Sequence, residues 1–450
     1  MRTLVALWVA SLAWAGDYTA LDRYVAAPDS SYRYTLARTL NLPGLTAYQI
    51  DLVSQTWLTA AEVDRPEWHH WVTIYKPAQL ATATALLFIN GGSNSSTPST
   101  PDPSMTLLAA QAGAVVIDLG QVPNEPLRFT DESKSRSEDA IIAYSWDKFL
   151  RTADERWPAR LPMTKAAVRA MDAVTEFLAK LPEPVTLRNF AVTGGSKRGW
   201  TTWTVAAVDP RVIAIAPIVI DVSNMPAVFD HMWRAYGFWA PAEQDYVDMG
   251  IMNWFGTPEM DALEEIEDPY RYRERLALPK YELCSSGDQF FLPDNPQFYF
   301  ADWPGEKYLR FVPNTDHSMQ SLDAIANLLT WFKAVTQNVP RPRFYWRTDR
   351  AGGKITIRTL DTPTEVLLWQ ATNPAARDFR LQTIGPAYTS TPVAGENGTY
   401  SITVPPPANG WTAFFVQLSF PGPDAPLVFT TEVVVTPDVY PFDSPFAALQ

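Results

Sequence analysis

The pattern of apolar and polar positions changes twice along the chain. Up to about residue 338, short apolar runs alternate with stretches of helical period. The runs predict strands at 55–63, 68–76, 85–89, 114–119, 190–193, 212–221, 281–286 and 308–312, the first two joined by Asp64-Arg65-Pro66. The periodic stretches predict helices at 138–152, 164–180, 200–208 and 322–334. An opening hairpin followed by strands that alternate with helices argues for an α/β fold, a mostly parallel sheet covered on both faces. Functional residues of such a sheet belong at the carboxyl ends of its strands. Residues 222–278 interrupt the rhythm with aromatic density (Phe229, Trp233, Tyr236, Trp239, Trp254, Phe255) and an acidic helical stretch at 260–267. That segment predicts a helical cap inserted between strands, with Trp233 as a candidate substrate contact. From 342 to 450 the helical period disappears. Runs at 354–360, 364–370, 399–404, 411–420 and 427–436 alternate apolar and polar residues between Asn, Gly and Pro turns. This predicts a separate C-terminal β-sandwich of immunoglobulin or fibronectin type, leaving 16–338 as the first domain.

Composition narrows the function classes. The chain has 450 residues, 36 Lys plus Arg against 49 Asp plus Glu, and a formal net charge of −13. A nucleic-acid partner needs a basic face to neutralise phosphates, so the balance argues against one and against adhesion to anionic lipid. Residues 1–15 carry the marks of an export signal: Arg2, an apolar run over 4–12, and Ala13-Trp14-Ala15 before Gly16. The run is too short to span a bilayer, and no later stretch approaches that length. A secreted or periplasmic location is expected. The single cysteine, Cys284, has no disulfide partner and sits in an apolar run, the setting of a small buried hydrophobe.

The candidate chemistry centres on Gly194-Gly195-Ser196-Lys197-Arg198-Gly199. A predicted strand runs into two glycines and a serine, then into a predicted helix, which is the form of a nucleophile elbow. Serine needs a base within hydrogen-bond reach, and the base needs an orienting acid. Of four histidines, His317 follows the last predicted strand of the sheet and precedes a helix. That is the place of the base in an α/β-hydrolase. In the chain order serine, acid, histidine, Asp288 at the end of the strand 281–286 fits the acid, with Asp294 and Asp221 as alternatives. An oxyanion formed at Ser196 needs two preorganised donors. The Lys197 amide and the glycine turn Gly91-Gly92 after the strand 85–89 are the candidates. Arg198 stands where the elbow pattern Gly-x-Ser-x-Gly has its second glycine. It either binds a substrate carboxylate or, with Lys197, pairs with acids such as Glu138 and Asp139. The sequence contains no His-Glu-x-x-His, cysteine pair, phosphate loop or dinucleotide fingerprint, so no metal or cofactor is expected.

The stretches 141–150, 161–172, 194–203, 287–294 and 314–319 together resemble the PhoPQ-activated pathogenicity-related protein family. The resemblance implies an exported α/β-hydrolase-like protein, in some members linked to virulence and resistance to antimicrobial peptides. Arg198 is part of the family pattern. Two functions follow as expectations: a serine hydrolase for a peptide or ester, or a non-catalytic binder of cationic peptides on the same scaffold.

Overall fold

The computed structural model describes residues 18–446, so the export signal expected at 1–15 lies outside the described residues. Nine strands build the main sheet: β1 (Arg33–Leu42), β2 (Leu45–Thr56), β3 (Glu67–Pro77), β4 (Thr84–Ile89), β5 (Val116–Leu119), β6 (Asn189–Gly195), β7 (Val212–Ile218), β8 (Lys280–Ser285) and β9 (Lys307–Val312). Their spatial order is β1-β2-β3-β5-β4-β6-β7-β8-β9. The pairs from β1 to β5 along this order are antiparallel, and those from β5 to β9 are parallel. Parallel strands are buried on both faces and therefore read as unbroken apolar runs; β8 is buried at every residue.

Helices cover both faces. On one side α1 (Ala20–Ala26), α3 (Asp139–Thr152), α4 (Arg160–Ala179) and α5 (Lys197–Val208) share an apolar cluster with the sheet. On the other, α2 (Pro103–Ala112) and α9 (Leu322–Thr336) share a second cluster. Between β7 and β8 lie α6 (Met225–Tyr236), α7 (Gln244–Asp248) and α8 (Pro258–Glu267) with short 3-10 turns, within the stretch expected to form the cap. No helix among the described residues is long and apolar enough to cross a membrane.

Two expectations need correction. The strand expected at 55–63 is mostly loop, and the opening sheet instead starts with β1 and β2. Trp57 and Val63 are fully buried from that loop, which gave it a strand-like apolar pattern. The second correction concerns the tail. Its strands are β10 (Phe344–Asp349), β11 (Lys354–Thr359), β12 (Glu365–Asn373), β13 (Thr389–Pro392), β14 (Thr399–Thr403), β15 (Trp411–Phe420), β16 (Leu427–Thr430) and β17 (Val434–Thr436). One sheet, β10-β11-β14, stands apart, but β16-β15-β12-β13 continue the main sheet through a bridge between Thr430 and Leu309. Ile355, Ile402, Phe414 and Val416 of the tail share the cluster of Leu328 and Trp331 in α9. The physical reason is the edge of β9. An uncovered parallel edge leaves a row of unpaired backbone groups, and β16 with the Thr430 hydroxyl, 3.0 Å from the Phe311 amide, covers it. The tail is therefore joined to the main sheet at the edge of β9 and does not stand apart from it.

Candidate active site

The turn from β6 into α5 places Ser196 at φ 57 and ψ −129. A non-glycine residue in this region costs about 1–3 kcal/mol, which the surrounding structure must over-determine. The Ser196 amide donates to the Ile218 carbonyl at 2.8 Å, and its carbonyl accepts from the Trp200 amide at 3.0 Å. The two elbow glycines are Gly194 and Gly199. A Cβ at Gly194 would lie 2.8 Å from the Arg198 carbonyl carbon; one at Gly199 would lie 2.7 Å from Ile220 Cγ2 and 2.8 Å from the Gly194 oxygen. Gly199 thus relieves the crowding against the neighbouring strand one position later than the general pattern, which frees Arg198 to carry a side chain. Gly195 has nothing within 4 Å of such a Cβ. Gly199→Ala should therefore cost about 1–3 kcal/mol as overpacking, whereas Gly195→Ala should stay within about 0.5 kcal/mol. Urea denaturation of the two variants checks the difference.

The cations beside the serine are engaged. Arg198 forks onto Glu138 at 2.7 and 2.9 Å and donates Nε to the Val122 carbonyl at 2.6 Å. Lys197 Nζ lies 2.6 Å from Glu138 and 3.1 Å from Asp139. Burial works against ionisation of Glu138, but Arg198 and Lys197 outweigh it and hold this carboxyl low, while burial and the neighbouring Glu138 push Glu125 up. Behind the elbow, the buried Arg160 donates to the Lys197 carbonyl at 2.6 Å and lies over the Trp200 ring. The glycine turn packs on Arg198: a Cβ at Gly91 would strike the guanidinium. Gly92 has φ +126, which favours glycine.

The loops that carry Asp288 and His317 meet at the far ends of β8 and β9. His317 Nδ1 lies 2.9 and 3.1 Å from the two Asp288 oxygens. Asp288 Oδ1 also accepts from the Phe290 amide at 2.8 Å, and the Gln289 side chain accepts from the His317 amide at 3.0 Å. His317 Nε2 is buried and has no hydrogen-bond partner among the described residues, so Ser196 Oγ is not bonded to it. With Nδ1–H donating to the carboxylate, Nε2 is the free acceptor. The tail braces both loops: the Leu381 amide donates to the Gly287 carbonyl at 2.9 Å, and Asn314 exchanges two hydrogen bonds with the Tyr388 backbone.

The alternative acids are occupied elsewhere. Asp294 pairs with Arg377 and His231. Asp221 accepts from the Tyr299 hydroxyl at 2.5 Å, beside Glu282. The other histidines are also accounted for. His70 is buried between the Ser54 hydroxyl and the Gly120 carbonyl, and His69 is exposed beside Asp51 and Glu67.

A cavity of about 30 Å³ opens at Ser196. Its polar lining is Ser196, Lys197, Asp139, Glu243 and Tyr246; its walls include Trp146, Trp200, Phe229, Phe290 and Phe291. Phe290 and Phe291 also pack on His317, ring centroids 4.4 and 6.0 Å apart, which sets the histidine behind one wall. Arg198, Trp233, Gly91 and Gly92 are not among the lining residues. Trp233 is half-buried against Trp239 at 5.0 Å, and Phe229 of the same helix takes the place at the cavity. Glu243 was not singled out in the sequence. Its sequence signal was weak: it is one of four acids in the aromatic segment 229–255, with Asp230, Asp245 and Asp248. A larger groove of about 790 Å³ lies along the seam of β9 and β10 and contains none of these residues.

Residues 21–380 match the family model described as PhoPQ-activated pathogenicity-related protein. The chain is 38% identical over 477 residues to autocrine proliferation repressor protein A of Dictyostelium discoideum, covering 99% of this chain and 96% of the relative. Among solved structures, acetyl xylan esterase 1 from Thermoanaerobacterium sp. JW/SL YS485 aligns with a TM-score of 0.48 at 15% identity, covering 70% of this chain and 91% of the esterase. A glucuronoyl esterase from Solibacter usitatus aligns with a TM-score of 0.41 at 13% identity, covering 70% and 90%.

Proposed function

The chain belongs to the PhoPQ-activated pathogenicity-related protein family, and from that premise we propose that it is a serine hydrolase acting by acyl transfer on a peptide or ester. One observation carries the reading. His317 is held by Asp288 at one ring nitrogen, while the other is buried and unpartnered behind the cavity that Ser196 enters. Ser196 Oγ attacks the scissile carbonyl, and His317 Nε2 takes its proton and returns it to the leaving group. Asp288 fixes the tautomer and stabilises the imidazolium. The Lys197 amide, at the first position of α5 where helical N–H groups lack intrahelical partners, receives the oxyanion, with the Gly91-Gly92 turn as second donor. The missing hydrogen bond between Ser196 and His317 fits this reading, because such contacts are often long until substrate binds. Export rests on residues 1–15, and a link to virulence rests on the family's description.

Kinetics on p-nitrophenyl acetate test the assignment. Asp288→Asn keeps the shape but favours the wrong tautomer, so kcat should fall about 10³–10⁴-fold. An unchanged kcat would remove Asp288 from the mechanism. A wild type that binds cationic peptides and turns nothing over would favour the binder instead.

A further inference from the structure

The cavity at Ser196 contains a carboxyl group that acyl transfer does not use. Glu243 ends the 3-10 turn Pro241–Glu243, is 3% exposed, and lines the cavity. Its carboxyl makes no hydrogen bond or ion pair with any described residue. Burial, and after it the charges of Asp139 and Asp288, push it well above the usual carboxyl range. Unlike the sealed, unpartnered oxygens of Glu267, those of Glu243 are not shut off from the cavity, so the carboxyl faces that space with no protein partner. Asp139, on the same cavity, accepts from the Tyr246 hydroxyl at 3.1 Å and has Lys197 Nζ on its other oxygen. The aromatic faces of Trp146, Trp200 and Phe229 close the walls. Carboxylates beside aromatic faces in a desolvated pocket are the chemistry that holds a cation. At roughly 10–15 Å³ per water-sized occupant, a cavity of about 30 Å³ has room for a small head group such as a primary ammonium.

We propose that Glu243 and Asp139 receive a primary ammonium carried close to the scissile carbonyl, so that the substrates are amino-acid esters or amides with a free amine. This inference rests on the hydrolase reading for its catalytic meaning, but the ammonium site is measurable without turnover. Ser196→Ala chain is titrated by calorimetry with L-alaninamide and with N-acetyl-L-alaninamide. The free amine should bind at least about tenfold more tightly, the size of one well-placed ion pair. Glu243→Gln in the same background should reduce the ratio to near one, and Asp139→Asn should reduce it in part. Glu243→Gln should melt no lower than its parent, because it replaces a carboxyl whose charged form burial already disfavours and which holds no partner; a purely structural glutamate would give a lower Tm. Equal binding of the two amides overturns the inference, and so does a preference that survives in both variants. Neither outcome touches the hydrolase reading, which stands or falls on turnover by the wild type.

Discussion

Ser196→Ala is expected to lower turnover by at least about 10⁴-fold, the scale seen when the nucleophile of such a triad is removed. The reason lies in the elbow. Ser196 is held at φ 57 by the end of β6, the start of α5 and a hydrogen bond to the Ile218 carbonyl. That conformation is strained, and it holds the hydroxyl at the mouth of the cavity. Alanine occupies the same backbone and removes only the hydroxyl. The expected loss is therefore chemical: kcat collapses while the urea midpoint stays within about 0.5 kcal/mol of wild type. A Ser196→Ala chain that retains more than a tenth of the activity would place the chemistry elsewhere.

The second large effect is on stability. Asp294, His231 and Arg377 form a buried cluster in which every side chain is at most 2% exposed. Arg377 Nη2 donates to Asp294 Oδ2 at 2.5 Å, and His231 bridges Asp294 and the Tyr440 hydroxyl. Burial alone would raise the Asp294 carboxyl, but Arg377 and then His231 outweigh it and hold it below the usual range. Burial in turn lowers the imidazole of His231. Arg377→Ala strands a buried carboxylate, which typically costs about 3–5 kcal/mol. It also removes the tail's ion pair to the Asp294 loop, while Tyr440 keeps its contact with His231 of α6. The pH dependence has a fixed sign. A carboxyl with a depressed folded-state pKa contributes stability that is complete above the unfolded value near ~3.9 and is lost as pH falls below it. Wild type should therefore lose stability steeply under acid in this window, and Arg377→Ala less steeply. Urea denaturation at neutral and acid pH reads both quantities; a neutral-pH loss under about 1 kcal/mol would contradict the cluster's role.

Much of the sheet was legible because parallel strands have little choice of pattern. β4, β6, β8 and β9 are buried on both faces and read as apolar runs with turn signals at their ends. β1 is exposed along most of its length, so it carried no signal of either period. The continuation of the sheet into the tail also left no local trace. The pairing of Thr430 with Leu309 joins residues far apart in the chain, and nothing in either stretch announces it. At the site, chain order was enough to select Asp288 and His317, which the structure brings into hydrogen-bond contact. The fate of Arg198 depended on an acid sixty positions upstream; its fork onto Glu138 draws it away from the cavity. Glu243 was the least legible, because an acid in an aromatic segment looks the same in sequence whether it faces water or a cavity.

The most direct measurement is covalent labelling of the intact chain with a fluorophosphonate, followed by peptide mapping. A single adduct is expected on Ser196, absent in Ser196→Ala and strongly slowed in a His317→Gln chain. No adduct on the wild type, or an adduct on another residue that persists in Ser196→Ala, would contradict it.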